Sequence, residues 1–473
     1  MSAESLSIRQ IDERPMTRRQ KNILGAAILA DMMEFFDFFL IGFIIAIIVE
    51  PWGLTYGQTA VLILTSGVGA ILGAFFFGSL ADRIGRRPVF ITTVLTFSLA
   101  TGALALVPDG SWALLAVLRL VVGFGVGGLY SVDLPLVQEY VPSSKRGFLG
   151  GLVMVFVPVG LLLGSVLSAT LGPVIGWRGL VLIGALPALF SLYVRATVPE
   201  SPRWLLSQGR RDEARRAVAW ALEIEPDEVE LPREVPSVRS KWTDVFRYPR
   251  SLTVSWLGNL GAQTAIYGLI LWGPTLLALT QGIPPEQAAF LFIFVSVAGL
   301  VGRIAFAWLS ETVGRRVSGG ILGFGGAAVL IVAALVSQDA VLAGLSVFYL
   351  LLILSYFFID GGFSIVGPYA AEVWPTNMRT TGMGSAYGFG GLGKIIGPVG
   401  LALIAGSDKL VSPEASIASI TPGFLFLAAW AALSGVVYLF FGIETKGRSI
   451  EDIDAQLAGQ RASAPSARTA AAG

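Results

Sequence analysis

Gly78-Ser-Leu-Ala-Asp82-Arg83-Ile-Gly85-Arg86-Arg87 closes an apolar run at 59–80, and an altered copy, Ala307-Trp-Leu-Ser-Glu311-Thr-Val-Gly314-Arg315-Arg316, closes another at 287–309. A second pair behaves the same way: Glu139-x-x-Pro142-x-x-x-Arg146 returns as Glu372-x-x-Pro375-x-x-x-Arg379. Arg86 and Arg315 are 229 positions apart and Glu139 and Glu372 are 233 apart, so a whole multi-element unit has been repeated. A third pair of polar segments, Pro199-Glu200-Ser201-Pro202-Arg203 and Glu444-Thr-Lys446-Gly447-Arg448, follows the last apolar run of each unit.

The solvent of this chain follows from its composition. Of 473 residues, 54% are hydrophobic and 14% charged, against roughly 25% charged in soluble domains. Folded in water it would expose too much apolar surface, so lipid must surround it. The net charge of +1 argues against nucleic-acid binding, which needs a basic stripe. The chain has no Cys and no His. Disulfides, thiolate nucleophiles and Cys-based metal sites are excluded, no nucleophile–base set suggests an enzyme, and no metal or cofactor is expected. Proton handling near neutral pH must then fall on carboxylates.

A spanning helix takes about 20 mostly apolar residues. Twelve such stretches are expected near 23–49, 59–80, 88–107, 112–134, 148–171, 178–197, 251–277, 287–309, 318–337, 341–366, 381–405 and 420–442. The first is too long for a cleavable signal. The reading is an all-α membrane protein of twelve transmembrane helices in two six-helix bundles, 23–197 and 251–442. A polar linker with short helices (198–250) joins them, and a segment at each end (1–22 and 443–473) completes the chain. Arg and Lys gather before the first stretch, after the second, fourth, eighth, tenth and twelfth, and in the linker; the alternate loops offer little beyond Arg178 and Lys409. The excess places both termini on the cytoplasmic side of the inner membrane.

These duplicated motifs resemble the major facilitator superfamily over roughly 20–452, and Pro199–Arg203 and Glu444–Arg448 look like its sugar-porter and metabolite:proton symporter branches. The resemblance implies alternating access between the two bundles, with protons, a small-molecule substrate and the lipid bilayer as partners, and a monomer as the working unit. Duplicated halves around a midplane site are a common transporter plan. Asp82, Arg83, Arg86, Glu139, Arg146, Glu200 and Arg203 in the first half, with Glu311, Arg315, Glu372, Arg379 and Glu444 in the second, are expected to gate. Ion pairs among them would latch one bundle to the other in one state and part in the next; alternatively, the charges only set topology.

Ionisable groups at membrane depth cost ~2.5–3.5 kcal/mol each on insertion scales, so each suggests function. In Asp31-Met-Met-Glu34-Phe-Phe-Asp37, a helix puts the three acids within a sector of about 120°, able to face a cavity. Asp37 falls near mid-span. Arg119 precedes the run Gly123-Phe-Gly125-Val-Gly127-Gly128, which also matches a dinucleotide fingerprint but lacks the preceding strand; small residues at this spacing let membrane helices pack. In sugar porters, an acid placed like Asp37 pairs with an arginine placed like Arg119 to couple transport to protons. Glu34 and Asp133 are alternative coupling acids, and a purely structural pair is the other reading. Lys394 needs an anion, either Asp360 or a substrate carboxylate, unless it snorkels to the interface. Asn259, Gln263 and Tyr267 share one helix face; Tyr356, Tyr369 and Tyr387 are further lining residues.

Sugar porters place two adjacent glutamines in the seventh helix and a Trp before the glutamate of the tenth; this chain has one Gln263 and reads Gly367-Pro-Tyr369-Ala-Ala-Glu372. The acid cluster of the first helix and the segment Glu372-Val-Trp-Pro-Thr-Asn-Met-Arg379-Thr-Thr-Gly resemble bacterial metabolite:proton symporters, which include carriers of aromatic acids and related carboxylates, and Arg119 and Lys394 suit an anion. The expected function is therefore proton symport of a small organic acid anion, aromatic acids included. A sugar or polyol symporter, an organic-cation or drug transporter, and a non-transporting membrane receptor are the alternatives.

Overall fold

The computed structural model describes residues 9–130, 137, 139–142, 149, 156–187, 189, 198–231, 242–336, 340–375 and 378–446. Its helices are α1 (Arg18–Ile48), α2 (Tyr56–Ile84), α3 (Arg86–Leu104), α4 (Trp112–Tyr130), α5 (Val157–Thr170) and α6 (Gly172–Gly184), then the short α7 (Pro202–Ser207) and α8 (Arg211–Leu222). The second half holds α9 (Pro249–Gln281), α10 (Pro285–Val313), α11 (Arg315–Leu335), α12 (Val347–Gly361), α13 (Phe363–Glu372), α14 (Arg379–Gly390), α15 (Gly393–Ala405) and α16 (Pro413–Val436). Among the described residues, nine helices are long and apolar enough to cross a membrane; α12 with α13 and α14 with α15 each count as one. The 31-residue α1 is not among them, because its three acids interrupt the apolar run.

Local chemistry sets the ends. Thr17 with Gln20, and Thr55 with Gln58, form reciprocal capping boxes at α1 and α2, each satisfying two otherwise orphaned N–H groups. The α2–α3 and α10–α11 turns pivot on Gly85 (φ 106°) and Gly314 (φ 96°), a region favouring glycine. The expected tenth span starts late: Val341–Leu342 pairs with Leu345–Ser346 as a small antiparallel hairpin. Ala343 and Gly344 take φ of 52° and 81°, the geometry of a two-residue hairpin turn, so the helix begins only at Val347.

Helices α2 and α4 touch backbone to backbone. A side chain on Gly69 or Gly73 would run into the main chain of α4, and one on Gly123 or Gly127 into that of α2. The glycine run is thus a packing surface. Between the sequence halves, α1 packs on α9, α2 on α15 and α5 on α10. The end opposite the arginine clusters is sealed by main-chain bonds between the halves: Tyr56 N–H to Lys409 O (3.0 Å), Gly57 N–H to Ser407 O (2.9 Å) and Val411 N–H to Leu54 O (3.0 Å). The Tyr56 and Ser416 hydroxyls add a bond of 2.7 Å. Tyr56→Phe is expected to loosen this seal by about 1 kcal/mol, the worth of a typical internal hydrogen bond. Faster labelling of a reporter cysteine at Ala405 would register it; an unchanged rate would mean the main-chain bonds alone hold the seal.

Candidate functional site

At the arginine-rich end, two clusters repeat one design. Arg86 pairs with Glu139 (2.5 Å), whose other oxygen accepts from the Ser201 hydroxyl, while the Arg86 and Arg87 N–H groups donate to Glu200 at 2.9 and 3.2 Å. In the second half, Arg315 pairs with Glu311 (2.6 Å) and Glu372 (3.4 Å), the Thr445 hydroxyl donates to Glu372 (2.5 Å), and the Arg315 and Arg316 N–H groups donate to Glu444 at 3.0 and 3.2 Å. The Glu200 carboxylate sits on the N-terminus of α3 and the Glu444 carboxylate on that of α11, a favourable place for an anion. The expected latch between bundles is corrected here: these pairs tie helices within one half. Arg203 reaches Glu139 only through its main-chain N–H, and Arg83 is exposed. A Cβ on Gly314 would collide with the Glu444 carboxylate, and its φ is left-handed as well. Gly314→Ala is expected to cost about 1–3 kcal/mol, read as a lower unfolding midpoint; an unchanged midpoint would place that carboxylate elsewhere.

Asp37 is sealed inside the first half. It is 1% exposed, as is Arg119. One carboxylate oxygen accepts from the Thr101 hydroxyl of α3 (2.7 Å); the other has no hydrogen-bond partner among the described residues and faces Gly184 of α6, where a Cβ would approach it to 3.2 Å. Two expectations change. The Arg119 guanidinium does not meet the carboxylate: it donates to the main-chain carbonyls of Asp37 (3.3 Å) and Phe38 (3.2 Å). The pair also faces helices of its own half rather than a hollow between halves. Asp31 and Glu34 are buried on the same helix. Asp133, Arg146 and the side chains of Asp82 and Arg379 lie outside the described residues.

Asp360 is not the partner of Lys394. It holds the guanidinium of Arg303 from α10 in a two-pronged bond, 2.8 Å from Nε and 2.8 Å from Nη2, with both residues buried. Gly299, one turn before Arg303, makes room: a Cβ there would press on the Tyr356 ring and Asp360 Oδ2. The sequence reading did not single out Arg303, although a lone arginine in an apolar helix is the same signal that marked Arg119. Lys394 instead lies where α15 meets the first half. Its Nζ is 5.5 Å from the ring centre of Phe38 and 5.1 Å from that of Tyr267, and its Cβ approaches Gly67 of α2. It is partly exposed, and no carboxylate among the described residues lies within 4 Å of its ammonium. The α14–α15 junction tightens into three-residue bonds, Lys394 N–H to Gly391 O and Ile395 N–H to Leu392 O, a mid-helix irregularity often found at functional positions.

Around Lys394 the wall is aromatic and amide. Phe38 and Phe39 pack on Tyr267 with ring centres 5.7 and 6.2 Å apart. Gln263 Nε2 donates to Asn259 Oδ1 at 2.6 Å, and Asn259 Nδ2 is buried without a partner among the described residues. Tyr387 places its hydroxyl against Gly367. Tyr369, expected in the lining, is engaged elsewhere: its hydroxyl donates to Ile443 O (2.6 Å) beside Tyr438.

Residues 23–457 match the family model described as Sugar (and other) transporter. The chain is 32% identical to the niacin transporter NiaP of Acinetobacter baylyi, over 94% of this chain and 99% of that one. It is 28% identical to the 4-hydroxybenzoate transporter PcaK of Pseudomonas aeruginosa, over 82% and 86%. In fold it is similar to the xylose transporter XylE from E. coli in a partially occluded inward-open conformation, with a TM-score of 0.70 and 18% identity over 92% of this chain and 100% of that one.

Proposed function

This chain belongs to the Sugar (and other) transporter family, and we propose that it is a proton-coupled symporter of small aromatic monocarboxylates working by alternating access. In this reading, 23–197 and 251–442 are two six-helix bundles, 198–250 joins them, and both termini, 1–22 and 443–473, lie in the cytoplasm. The arginine-rich end is then cytoplasmic, and the seal of 54–57 on 407–411 closes the outer end. The described conformation is inward-facing, and the two arginine clusters stiffen each bundle so that it rocks as a body.

The observation that carries the substrate class is Lys394: an ammonium at the seam between halves, held against two aromatic rings, with no carboxylate among the described residues within 4 Å of it. An intramembrane cation without a fixed counter-ion is satisfied by an anionic ligand. A substrate ring stacks beside Phe38, Phe39 and Tyr267, and Gln263 and Asn259 offer polar contacts to ring substituents. Relatives named for niacin and 4-hydroxybenzoate transport support an aromatic ring bearing one carboxylate. Asp37 is the coupling acid: its unpartnered oxygen and the nearby Arg119, engaged on carbonyls, leave the carboxylate free to accept a proton as the first-half helices repack.

Proteoliposomes test this directly. Labelled niacin and 4-hydroxybenzoate are expected to accumulate down an imposed proton gradient while labelled xylose is not. Accumulation of xylose alone would replace this reading with the sugar one, and an absence of flux for every compound would favour a receptor. Asp37→Asn is expected to exchange substrate but not to accumulate it; full accumulation would move the coupling role elsewhere.

A further inference from the structure

We propose that Phe38 is a positioning residue that ties substrate binding to protonation: its ring, packed against the Lys394 ammonium and Tyr267, fixes the main chain at 37–38, and that main chain keeps the Arg119 guanidinium off the Asp37 carboxylate. This rests on the readings of Lys394 and Asp37 above and supplies the connection between them.

Each link is a contact of Phe38 itself. Its ring centre lies 5.5 Å from Lys394 Nζ, inside cation–π range. It meets the Tyr267 ring at 5.7 Å and 82°, an edge-to-face pairing that favours one ring orientation. Its carbonyl accepts from Arg119 Nη2 at 3.2 Å, beside the Asp37 carbonyl, which accepts from Nη1 at 3.3 Å. One buried residue thus touches the substrate side through its ring and the proton side through its main chain. Gly42, one turn on, brings α9 against the same stretch: a Cβ there would lie 3.1 Å from the Leu271 carbonyl. The main chain of 38–42 is therefore seated on the second half while its carbonyls hold an arginine of the first.

The arginine and the acid are left unjoined. Arg119 Nε and Asp37 Oδ1 are both buried, and neither has a hydrogen-bond partner among the described residues. Buried polar atoms without partners are uncommon, and these two would satisfy each other if the guanidinium left the carbonyls. A guanidinium bonded to a carboxylate opposes its protonation, so the arrangement with Arg119 on the carbonyls is the one that admits a proton to Asp37. A substrate ring stacked on Phe38 adds contacts that hold this arrangement. Substrate and proton then strengthen each other's binding by the same factor, while arginine keeps its own proton throughout. Of the charged and titratable groups around this turn, α4 brings Arg119, α9 Tyr267 and α15 Lys394, and α1 itself carries Asp31 and Glu34. Helix α5 has none; α6 has Arg178, bonded to Asp109, and mid-α10 has Arg303, bonded to Asp360. Those of α2 (Tyr56, Asp82 and Arg83) lie at its ends, and α8 meets α1 at Thr17 and Arg19.

The test is niacin binding to the purified protein in lipid nanodiscs, followed by calorimetry from about pH 6 to about pH 8, where the ligand carboxylate stays ionised. Linkage to one proton makes wild type bind about tenfold or more tightly at the acid end than at the alkaline end. Phe38→Ala is expected to bind more weakly and to vary by less than about twofold over that range. Phe38→Leu, which keeps most of the bulk but offers no ring face to the ammonium, is measured beside it and is expected to be equally flat. Phe38→Tyr, which keeps the ring, is expected to restore the wild-type pH dependence. Weaker binding that retains that dependence in Phe38→Ala or Phe38→Leu, or its loss in Phe38→Tyr, overturns the proposal, since the ring would then only pack. Asp37→Asn, measured in parallel, is expected to be flat; a dependence that survives there removes Asp37 as the coupling acid and this proposal with it. A wild type that binds niacin equally at every pH overturns the proposal while the anion reading stands. A wild type that binds no aromatic acid removes the anion reading itself.

Discussion

Lys394→Gln is expected to weaken niacin binding by about 30-fold or more while leaving nicotinamide nearly unaffected. Losing one member of a desolvated charge pair costs roughly 2–5 kcal/mol, and 2 kcal/mol is already about 30-fold. The amide differs from the acid only in lacking the charge that the ammonium meets, so the ratio of the two losses isolates that interaction from packing against Phe38 and Tyr267. Lys394→Arg should recover part of the loss, since the charge remains but the planar fork fits a two-ring cradle poorly. Equal losses for acid and amide would mean that Lys394 shapes the cavity without reading charge, and the substrate class would have to be reopened. The same variant should raise the substrate concentration needed for half-maximal uptake in proteoliposomes without slowing saturated exchange, because the interaction is made in the bound ground state.

Much of this was legible before any coordinates. Lipid leaves the chain few options, since every backbone polar group must be satisfied within a helix; runs of apolar residues therefore translate almost directly into helices. The repeats at Gly78–Arg87 and Ala307–Arg316 marked the corresponding turns because a left-handed glycine beside paired arginines is a local requirement, visible locally. What failed was everything that depends on which helix lies next to which. Asp37 and Arg119 stand out in the sequence as charges at membrane depth, but not that Thr101 and Gly184 enclose the carboxylate or that two main-chain carbonyls take the guanidinium. Lys394 and Asp360 share a sign pattern that suits pairing, yet Arg303, 57 positions before Asp360, is nearer in space. The clusters around Glu139 and Glu372 read as a latch because charge says that pairs form without saying between which bodies. The Ala343–Gly344 hairpin was hidden within an apolar stretch whose composition suits strand and helix equally.

Arg119→Gln is expected to be the most damaging of the charge substitutions, costing about 3–5 kcal/mol, because it leaves the Asp37 carboxylate buried with Thr101 as its one hydrogen-bond donor among the described residues. Asp37→Asn should cost less: the guanidinium keeps its bonds to the carbonyls of residues 37 and 38, and the new amide can still accept from Thr101. The double variant Asp37→Asn/Arg119→Gln should then be more stable than Arg119→Gln alone, since it removes the charge that the single variant strands. The coupling between two groups in one network falls at about 0.5–3 kcal/mol, large enough to appear as an ordering of unfolding midpoints and of membrane-inserted yield. That ordering separates charge compensation from shape, because both arginine variants lose the same side-chain volume and the same two carbonyl bonds. If the double variant were no better than Arg119→Gln, the arginine would be serving the α1 backbone alone, and Asp37 would have to be neutral already in the resting protein. A neutral resting Asp37 would reverse the order of events, with the proton bound before substrate arrives and released as the first-half helices move.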